Sequence, residues 1–165
     1  MTKDLNNDYI NFTKLYLEKT ILDKLKIVVN DNDLSFNSEI INDFGKPINV
    51  GQEITEYIEV MGEDLIKDFH SINNKIDEWF FEYKANENYY NSSIDNDKTV
   101  SKKEELENIQ KELNTIENKI LDKIDNTNII DEHSQYTFKN IVKSIFEDFR
   151  NKISTFLNKF KNNTI

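Results

Sequence analysis

Apolar residues recur at helical spacing over a long stretch in the middle of the chain. From residue 52 onward the intervals between them are three or four residues, with a mean close to one helical turn. The positions are Ile54, Ile58, Met61, Leu65, Phe69, Ile72, Ile76, Trp79 and Tyr83. This pattern predicts one continuous amphipathic helix of roughly 50 Å. Gly62 lies inside it, where glycine is either tolerated at about 1 kcal/mol relative to alanine or lets another helix approach closely.

Two later segments carry similar stripes, and each predicts a further amphipathic helix. The third helix has apolar positions at Leu106, Ile109, Leu113, Ile116, Ile120 and Ile124. The fourth has them at Phe138, Val142, Ile145, Phe149, Ile153, Phe156 and Phe160. Ser101 and Glu104 have the spacing of a capping box, in which each side chain satisfies a backbone amide at the start of a helix. The third helix is therefore predicted to begin at Ser101.

The first segment, from about Asn6 to Val29, is apolar over a wider face. One line consists of Tyr9, Phe12, Leu15, Leu22, Leu25 and Val29, and beside it lie Ile10, Leu17, Ile21 and Val28. A face of this width suits a helix that packs on two neighbours.

Two polar segments separate these helices. Residues 30–51 hold the only proline and two of the three glycines, which predicts the main irregular connector. A short helical turn from Ser38 to Phe44 is expected inside it, ended by Gly45. Residues 85–100 are polar and aperiodic and are predicted to form a loop, and a short break at residues 125–133 joins the third and fourth helices.

Four amphipathic helices joined by mostly short connections are best buried as an antiparallel bundle. We therefore predict an all-α fold, an antiparallel bundle of about four long amphipathic helices, with residues 1–165 forming a single domain. The third helix should lie antiparallel to both of its neighbours. A long helical hairpin that completes its core by dimerising is the alternative.

Composition narrows the fold class and the location. Glycine (3) and proline (1) are too scarce for a domain of many short strands, and the absence of cysteine removes disulfides, thiolate metal sites and cysteine nucleophiles. The amino terminus lacks the apolar core of a signal peptide. The longest apolar runs are triplets, far below the roughly 20 residues of a membrane span. We expect a soluble, cytoplasmic protein with no membrane association.

The negative charge is concentrated in one segment. The net charge is −10, and residues 51–100, with 12 acidic and 4 basic side chains, contribute −8 of it. An acidic surface repels phosphate backbones and attracts basic surfaces. We therefore expect no direct binding of nucleic acid, and a partner protein with a basic surface.

Each motif for a metal or cofactor lacks an obligatory member. Asp31 begins a segment with oxygen ligands at alternate positions, as in a calcium loop, but Phe36 and Asn42 replace the required glycine and glutamate. A second near-match, beginning at Asp95, fails at the same two places. The two histidines lack the Glu-x-x-His pattern of di-metal bundles and are too few for a three-histidine zinc site. We expect no metal and no cofactor.

Helical nucleotide pyrophosphatases hold magnesium with a Glu-x-x-Glu on one helix and an acidic pair on the next. Glu104 and Glu107 could form the first pair and Asp122 and Asp125 the second, but all four fall on the third predicted helix. Residues 104 and 122 would be about 27 Å apart along its axis and cannot share an ion. No catalytic residue is predicted, and the chain is expected not to be an enzyme.

An acidic cluster at the start of the second helix is the first candidate binding surface. It consists of Glu53, Glu56, Glu59, Glu63 and Asp64. No lysine or arginine lies between Lys46 and Lys67 to neutralise it. Acidic residues near a helix amino terminus also oppose the macrodipole favourably. The cluster is therefore either a solvated helix face or a surface that binds a partner.

Aromatic residues near the end of the same helix form the second candidate surface. Trp79 and Tyr83 belong to the core stripe, whereas Phe81 lies about 200° around the helix from Trp79 and should face away from the core. Tyr89 and Tyr90 follow in the polar loop. The loop and its tyrosines are expected to cover Phe81; otherwise Phe81 is the anchor of an interface.

These features favour a non-enzymatic protein-binding module, of an inhibitor, immunity, anti-defence or adaptor type, that docks its acidic face on a basic partner. A nucleic-acid mimic that occupies a DNA- or RNA-binding groove is one version of this hypothesis. The alternative is a structural or assembly helix bundle that self-associates, for instance as a homodimer, through Phe81 and its neighbours. An enzyme with an unrecognised carboxylate site is the third hypothesis.

Overall fold

The computed structural model describes residues 2–42, 44–92 and 97–162 of the chain. Its helices and strands are α1 (Thr2–Val29), β1 (Glu39–Ile41), β2 (Pro47–Asn49), α2 (Val50–Ala85), α3 (Glu87–Ser92), α4 (Asp97–Asp125) and α5 (Glu132–Asn162). The long helices α1, α2, α4 and α5 form a bundle, and the two strands form a small hairpin at one end of it. The prediction of an all-α helical bundle is confirmed.

The long helices form a ring in which α1 packs on α2 and α5, and α4 packs on the same two helices. Ion pairs between side chains show their directions. Arg150 of α5 reaches Glu117 of α4, whereas Lys139, earlier in α5, reaches Asp125, later in α4. The ion pairs between α2 and α4 have the same reversed order. Helix α4 is therefore antiparallel to both neighbours, as predicted.

The predicted core stripes of α2 and α4 are buried along their whole length. In α5 the stripe is buried or half-buried from Phe138 to Phe156, and the side chain of Phe160 lies outside the described residues. Apolar burial, at roughly 25 cal/mol per Å², is the dominant favourable term in folding. A helical apolar period was therefore sufficient to predict these three helices.

The predicted apolar line of α1 is wrong at two positions. Phe12 and Leu15 are 76% and 64% exposed. The buried side instead consists of Ile10, Thr13, Leu17, Ile21, Leu22 and Leu25. Thr13 helps to fix this orientation, because its hydroxyl forms a hydrogen bond with the ring of His70 on α2 at 2.9 Å and so faces the bundle. Apolar residues occur on several sides of this helix, so the period alone does not select the buried one.

The sequence predicted that α2 is one continuous helix, and this prediction is wrong. The backbone leaves helical geometry at Gly62 (φ 76°, ψ 167°). A positive φ of this size disfavours a residue with a Cβ, which explains the glycine. Close approach of another helix does not explain it, since an added Cβ would meet only Lys123 Nζ, at 3.7 Å. The break divides α2 into a short arm, residues 50–61, and a long arm, residues 63–85.

The connector between α1 and α2 contains the hairpin where the sequence predicted a helical turn from Ser38 to Phe44. Strands β1 and β2 are antiparallel, with Ile40 opposite Ile48. Asn42 stabilises the turn, because its Oδ1 accepts hydrogen bonds from two backbone amides of the loop. Strands of three residues are too short for a two-residue alternation to stand out in the sequence.

The end of the connector is held firmly on the start of α2. Asn49 caps the helix, since its Oδ1 accepts a hydrogen bond from the backbone amide of Gln52 at 2.9 Å. Gly51 lies so close to Phe36 that an added Cβ would approach the Phe36 carbonyl oxygen to 2.6 Å. A glycine is needed here for space.

The predicted loop over residues 85–100 is largely helical. Helix α3 occupies Glu87–Ser92, and α4 begins at Asp97, four residues before the predicted start at Ser101. Because Ser101 lies inside α4, the predicted capping box does not form. The second calcium-like segment begins at Asp95, which lies outside the described residues.

Candidate functional site

A cavity of about 410 Å³ lies at the end of the bundle that carries the hairpin, which we call the hairpin end. The aliphatic part of its lining consists of Leu25, Val29, Ile40, Ile48 and Val50. The mostly polar part consists of Glu53, Tyr57, His133, Ser134, Thr137 and Asn140. The volume falls within the usual range of ligand pockets, roughly 300–1,000 Å³.

The hairpin is attached to the start of α5 by an ion pair between Lys46 and Asp131, with Nζ and Oδ2 3.1 Å apart. Asp131 also caps α5, because its Oδ1 accepts a hydrogen bond from the backbone amide of Ser134 at 2.8 Å. This backbone hydrogen bond and the bond from Lys46 lower the pKa of Asp131, and Asp131 raises the pKa of Lys46. We call the pair the hairpin latch, since it ties the hairpin to α5 beside the cavity.

Among the described residues of the cavity wall, Glu53 is the one carboxylate. Its Oε1 atom is buried and has no hydrogen-bond partner in the described part of the chain. Tyr57, one turn later, is 1% exposed, and burial, followed by the charge of Glu53 and a hydrogen bond to it, raises the pKa of Tyr57. The ring of Tyr57 stacks on Phe138 with centroids 4.3 Å apart. Glu53 as a whole is half-buried, and its Oε1 atom is the buried polar atom of this side chain that has no hydrogen bond within the described residues.

Four exposed apolar side chains lie in the lining of the cavity or next to it. Val28, Ile41 and Tyr136 line it and are 61%, 75% and 67% exposed. Phe44 is 79% exposed and packs edge-on against His133, with ring centroids 4.8 Å apart. We call Val28, Ile41, Phe44 and Tyr136 the apolar rim. Single exposed apolar residues are normal, but a group of them around a cavity is typical of a binding surface.

The predicted acidic cluster is distributed over several places. Glu53 lines the main cavity, and Glu56 lies beside the hairpin latch in a second, smaller cavity. Glu59 lies in a shallow depression with Lys119 and Lys123 of α4. The remaining two members are exposed and follow the break in α2. Basic side chains from the hairpin and from α4 thus approach part of the cluster, and its role in binding remains a prediction.

The predicted aromatic surface is at the opposite end of the bundle, which we call the aromatic end. Phe81 is 79% exposed, so the expectation that the following loop covers it is wrong. Tyr89 is 45% exposed, whereas Tyr90 is half-buried and stacks on Tyr83 with centroids 5.6 Å apart. Tyr90 covers the core residue and leaves Phe81, on the other side of the helix, in solvent. Glu53 lies in the short arm of α2, whereas Phe81 lies roughly 27 Å along the long arm from its start at residue 63, so the two predicted surfaces are not one site.

Sequence reasoning missed the hairpin, the apolar rim and His133 as parts of a site. A signal for the hairpin was present, because aliphatic residues at positions 40, 41 and 48 flank a short loop that contains Gly45. Phe44 then becomes an apolar residue on a turn, where polar side chains are the norm. Tyr136 and His133 are close in α5, but only the folded hairpin brings them beside its loop.

Among the described residues, no group of three or more His, Cys, Asp or Glu side chains lies close enough together to hold a metal ion. No helix in the described ranges is both long and apolar enough to cross a membrane. Comparison with protein-family models, with curated proteins and with solved structures finds no match. The function is therefore argued from the site itself.

Proposed function

We propose that the chain is a non-enzymatic protein-binding module that docks a partner at its hairpin end. The observation that carries this proposal is the apolar rim, in which three exposed side chains line a cavity containing a carboxylate and a fourth, Phe44, packs on the lining residue His133. Aromatic and aliphatic anchors around a concave centre are the residues that dominate binding energy at protein interfaces. The partner is expected to present an apolar segment with basic residues beside it.

Charge supports a basic partner. The chain has a net charge of −10. Glu53 lines the same cavity as the rim, and Glu56 lies beside the hairpin latch, whose lysine is already paired with Asp131. Charges placed around an interface speed association and select the partner's sign more than they add affinity. The apolar rim would thus supply most of the affinity and the acidic groups the steering.

An inhibitor, immunity, anti-defence or adaptor protein fits this arrangement, since each acts by covering a surface of another protein. A partner groove that normally holds nucleic acid is one form of basic surface, so nucleic-acid mimicry is a version of the same proposal. The non-enzymatic part rests on the sequence, in which no recognised catalytic motif occurs.

The test begins with capture of the partner from the organism that encodes the chain, followed by binding measurements with both purified proteins. Phe44→Ala and Tyr136→Ala should each weaken the complex roughly tenfold or more, because each removes an anchor from the rim. Phe81→Ala is the matched control, since Phe81 is as exposed as Phe44, at 79%, but lies at the aromatic end. Loss of binding in the control and retention in both rim variants would move the docking surface to the aromatic end.

The acidic groups are tested by kinetics on the same complex. Glu56→Lys should slow association, and added salt should slow the unmodified protein in the same way. Glu63→Lys is the comparison, because Glu63 is exposed and lies beyond the break in α2. A larger effect at Glu56 than at Glu63 supports docking at the hairpin end. Association that ignores both charge reversals and salt contradicts a role for the acidic cluster.

Self-association is the second candidate function, and specific exposed residues favour it. Phe81 is exposed at the aromatic end, and Phe12 and Leu15 are exposed on the outer side of α1. Sedimentation equilibrium of the purified chain tests it directly. A dimer that Phe81→Asp or Phe12→Asp converts to a monomer would support the assembly hypothesis, whereas a monomer at high concentration would exclude it.

A further inference from the structure

The cavity at the hairpin end has a charge and a lining that specify a class of ligand. We propose that it binds an aliphatic ammonium or guanidinium group, with the Glu53 carboxylate as the counter-ion. This goes beyond protein docking, because a small free amine and the side chain of a bound protein's lysine or arginine share this chemistry.

Glu53 forms no ion pair with a lysine or arginine in the described part of the chain. Lys46 shares the smaller cavity with Glu53 and feels its charge, but the Lys46 Nζ atom donates to Asp131 at 3.1 Å, 85 residues away in the chain. In the described part of the chain no lysine or arginine lines the cavity. A carboxylate in a partly apolar site is stabilised strongly by a cation that supplies both charge and hydrogen bonds.

Two helix amino termini also lie at this end of the bundle and would favour an anion as ligand. Each terminus already has a capping side chain that accepts a hydrogen bond from one of its amides. Asn49 accepts from the start of α2, and the negative Asp131 accepts from the start of α5. A full negative charge on Glu53 then outweighs the remaining partial charges, so the cavity selects a cation.

The rest of the ligand is specified by the aliphatic part of the lining. Aliphatic side chains suit a chain of several methylene groups that ends in the cationic head. Thr137 adds a second polar group to the lining, because its hydroxyl donates to the backbone carbonyl of His133 at 3.2 Å and its lone pairs remain available as acceptors. An ammonium group has three donors, so it can form hydrogen bonds beyond the one to Glu53.

The test uses the full chain, labelled with nitrogen-15, and small probes of one length. n-Pentylammonium and pentylguanidinium should shift the amide signals of the hairpin and of the start of α5 in a saturable way. The neutral probe 1-pentanol should bind roughly tenfold more weakly, and pentanoate should not bind, because only the head group differs. This series needs no mutation. Equal binding of 1-pentanol and n-pentylammonium would overturn the proposal.

Variants locate the counter-ion. Glu53→Gln keeps the size of the side chain and should weaken n-pentylammonium roughly tenfold or more. Glu59→Gln is the control, since Glu59 is on the same helix but outside the cavity and should bind the probe as before. Equal weakening by both variants would show a general surface charge effect and overturn the assignment of Glu53. Circular dichroism of each variant establishes that the fold is kept.

A last comparison identifies the natural source of the cation. Nα-Acetyl-lysinamide binding more tightly than n-pentylammonium assigns the site to a lysine of a docked protein, and the reverse order assigns it to a free amine; both orders support a cation site. Failure of every cationic probe overturns the cavity proposal and leaves the docking proposal standing. The docking proposal fails instead if substitutions in the apolar rim leave partner affinity unchanged.

Discussion

The two ends of the bundle are closed in different ways. At the aromatic end, the rings of Trp79, Phe80, Tyr83 and Phe156 contact one another, with the four centroid distances from Trp79 to Phe80, Trp79 to Tyr83, Phe80 to Phe156 and Tyr83 to Phe156 between 4.5 and 5.4 Å. At the hairpin end, short aliphatic side chains surround about 410 Å³ of open space. Large rings from neighbouring helices fill the core at the aromatic end. At the hairpin end, two three-residue strands are too short to fill the space between the helices. The difference teaches that this fold is stabilised at one end and left accessible at the other.

The largest expected effect is at the aromatic end. Trp79→Ala should lower the free energy of unfolding by about 3–5 kcal/mol, because it removes a ring that is 3% exposed and the hydrogen bond from its Nε1 atom to the Lys102 carbonyl. Val28→Ala, in the apolar rim, should change it by less than about 0.5 kcal/mol. Urea denaturation followed by circular dichroism measures both. Similar losses in the two variants would show that the hairpin end is packed as firmly as the aromatic end.

A second contrast compares a buried ion pair with the exposed hairpin latch. Arg150, the chain's single arginine, bonds to both oxygens of Glu117 at 2.8 and 3.2 Å, and Glu117 is 8% exposed. Arg150→Met should cost about 2–3 kcal/mol, because it leaves a buried carboxylate without its partner. Lys46→Met opens an exposed latch and should leave global stability unchanged within error. Thermal denaturation of the two variants provides the measurement, and a larger loss for Lys46→Met would contradict this ranking.

Adding one methylene group distinguishes open space from filled space. Val29→Ile places it beside the cavity and should raise the free energy of unfolding by up to about 0.8 kcal/mol. Val142→Ile places the same group in the filled core, where Val142 is 3% exposed, and should lower stability by about 1 kcal/mol. Chemical denaturation with matched protein samples compares them. Two effects of the same sign would show that the cavity is not available to a side chain.

The smallest effect expected is on the pH dependence of the free energy of unfolding. The contact between α1 and α2 and the hairpin latch should each change this free energy in a different pH range. His70 is hydrogen-bonded to Thr13 and to Asn74 at 2.9 and 2.7 Å, and burial lowers the pKa of His70. The unfolded chain therefore takes up the proton first, so stability is constant above the unperturbed pKa of about 6.5 and falls as pH drops through it. The pKa of Asp131 is lowered, so the stability that the hairpin latch contributes is lost only in stronger acid, as the pH falls below the usual pKa range of an aspartate.

The histidine contribution is checked by measuring unfolding between pH 8 and pH 5. His70→Asn should flatten the dependence over this range, because it removes the group that titrates. Asp131→Asn should leave the pH dependence between pH 8 and pH 5 unchanged and should alter stability only at lower pH. A pH dependence that survives His70→Asn would assign the titration to another group.

The bundle was predictable from the sequence because helix periodicity and core burial agree over α2, α4 and α5. Prediction of α1 failed in detail, since Phe12 and Leu15 fit a periodic line as well as the buried residues do, and a polar contact from Thr13 to another helix decides between them. The break at Gly62 could not be predicted from the sequence either. One glycine in a long periodic segment is compatible with both a straight and an interrupted helix.

The candidate site was predictable only in part. Glu53 was predicted from charge density, but its place in a cavity depends on a hairpin that is distant in the sequence from α5. Cavity volume is set by distances between elements that are not neighbours in the chain, so composition and spacing carry no information about it. The apolar rim could not be distinguished from core residues, because Val28 and Ile41 are aliphatic like the residues that are buried.

The position of Trp79 gives the molecule an optical signal that is sensitive at one end alone. It is the only tryptophan of the chain, its indole is buried, and its Nε1 atom is bonded within the aromatic end. Its fluorescence should shift to longer wavelength when the bundle unfolds and water reaches the ring. Trp79 lies roughly 24 Å along the long arm of α2 from its start at residue 63, whereas Glu53 lies in the short arm, so a ligand entering the cavity should leave the emission unchanged. When a ligand that binds at the hairpin end is added in increasing amounts, the fluorescence of Trp79 is therefore expected to stay constant.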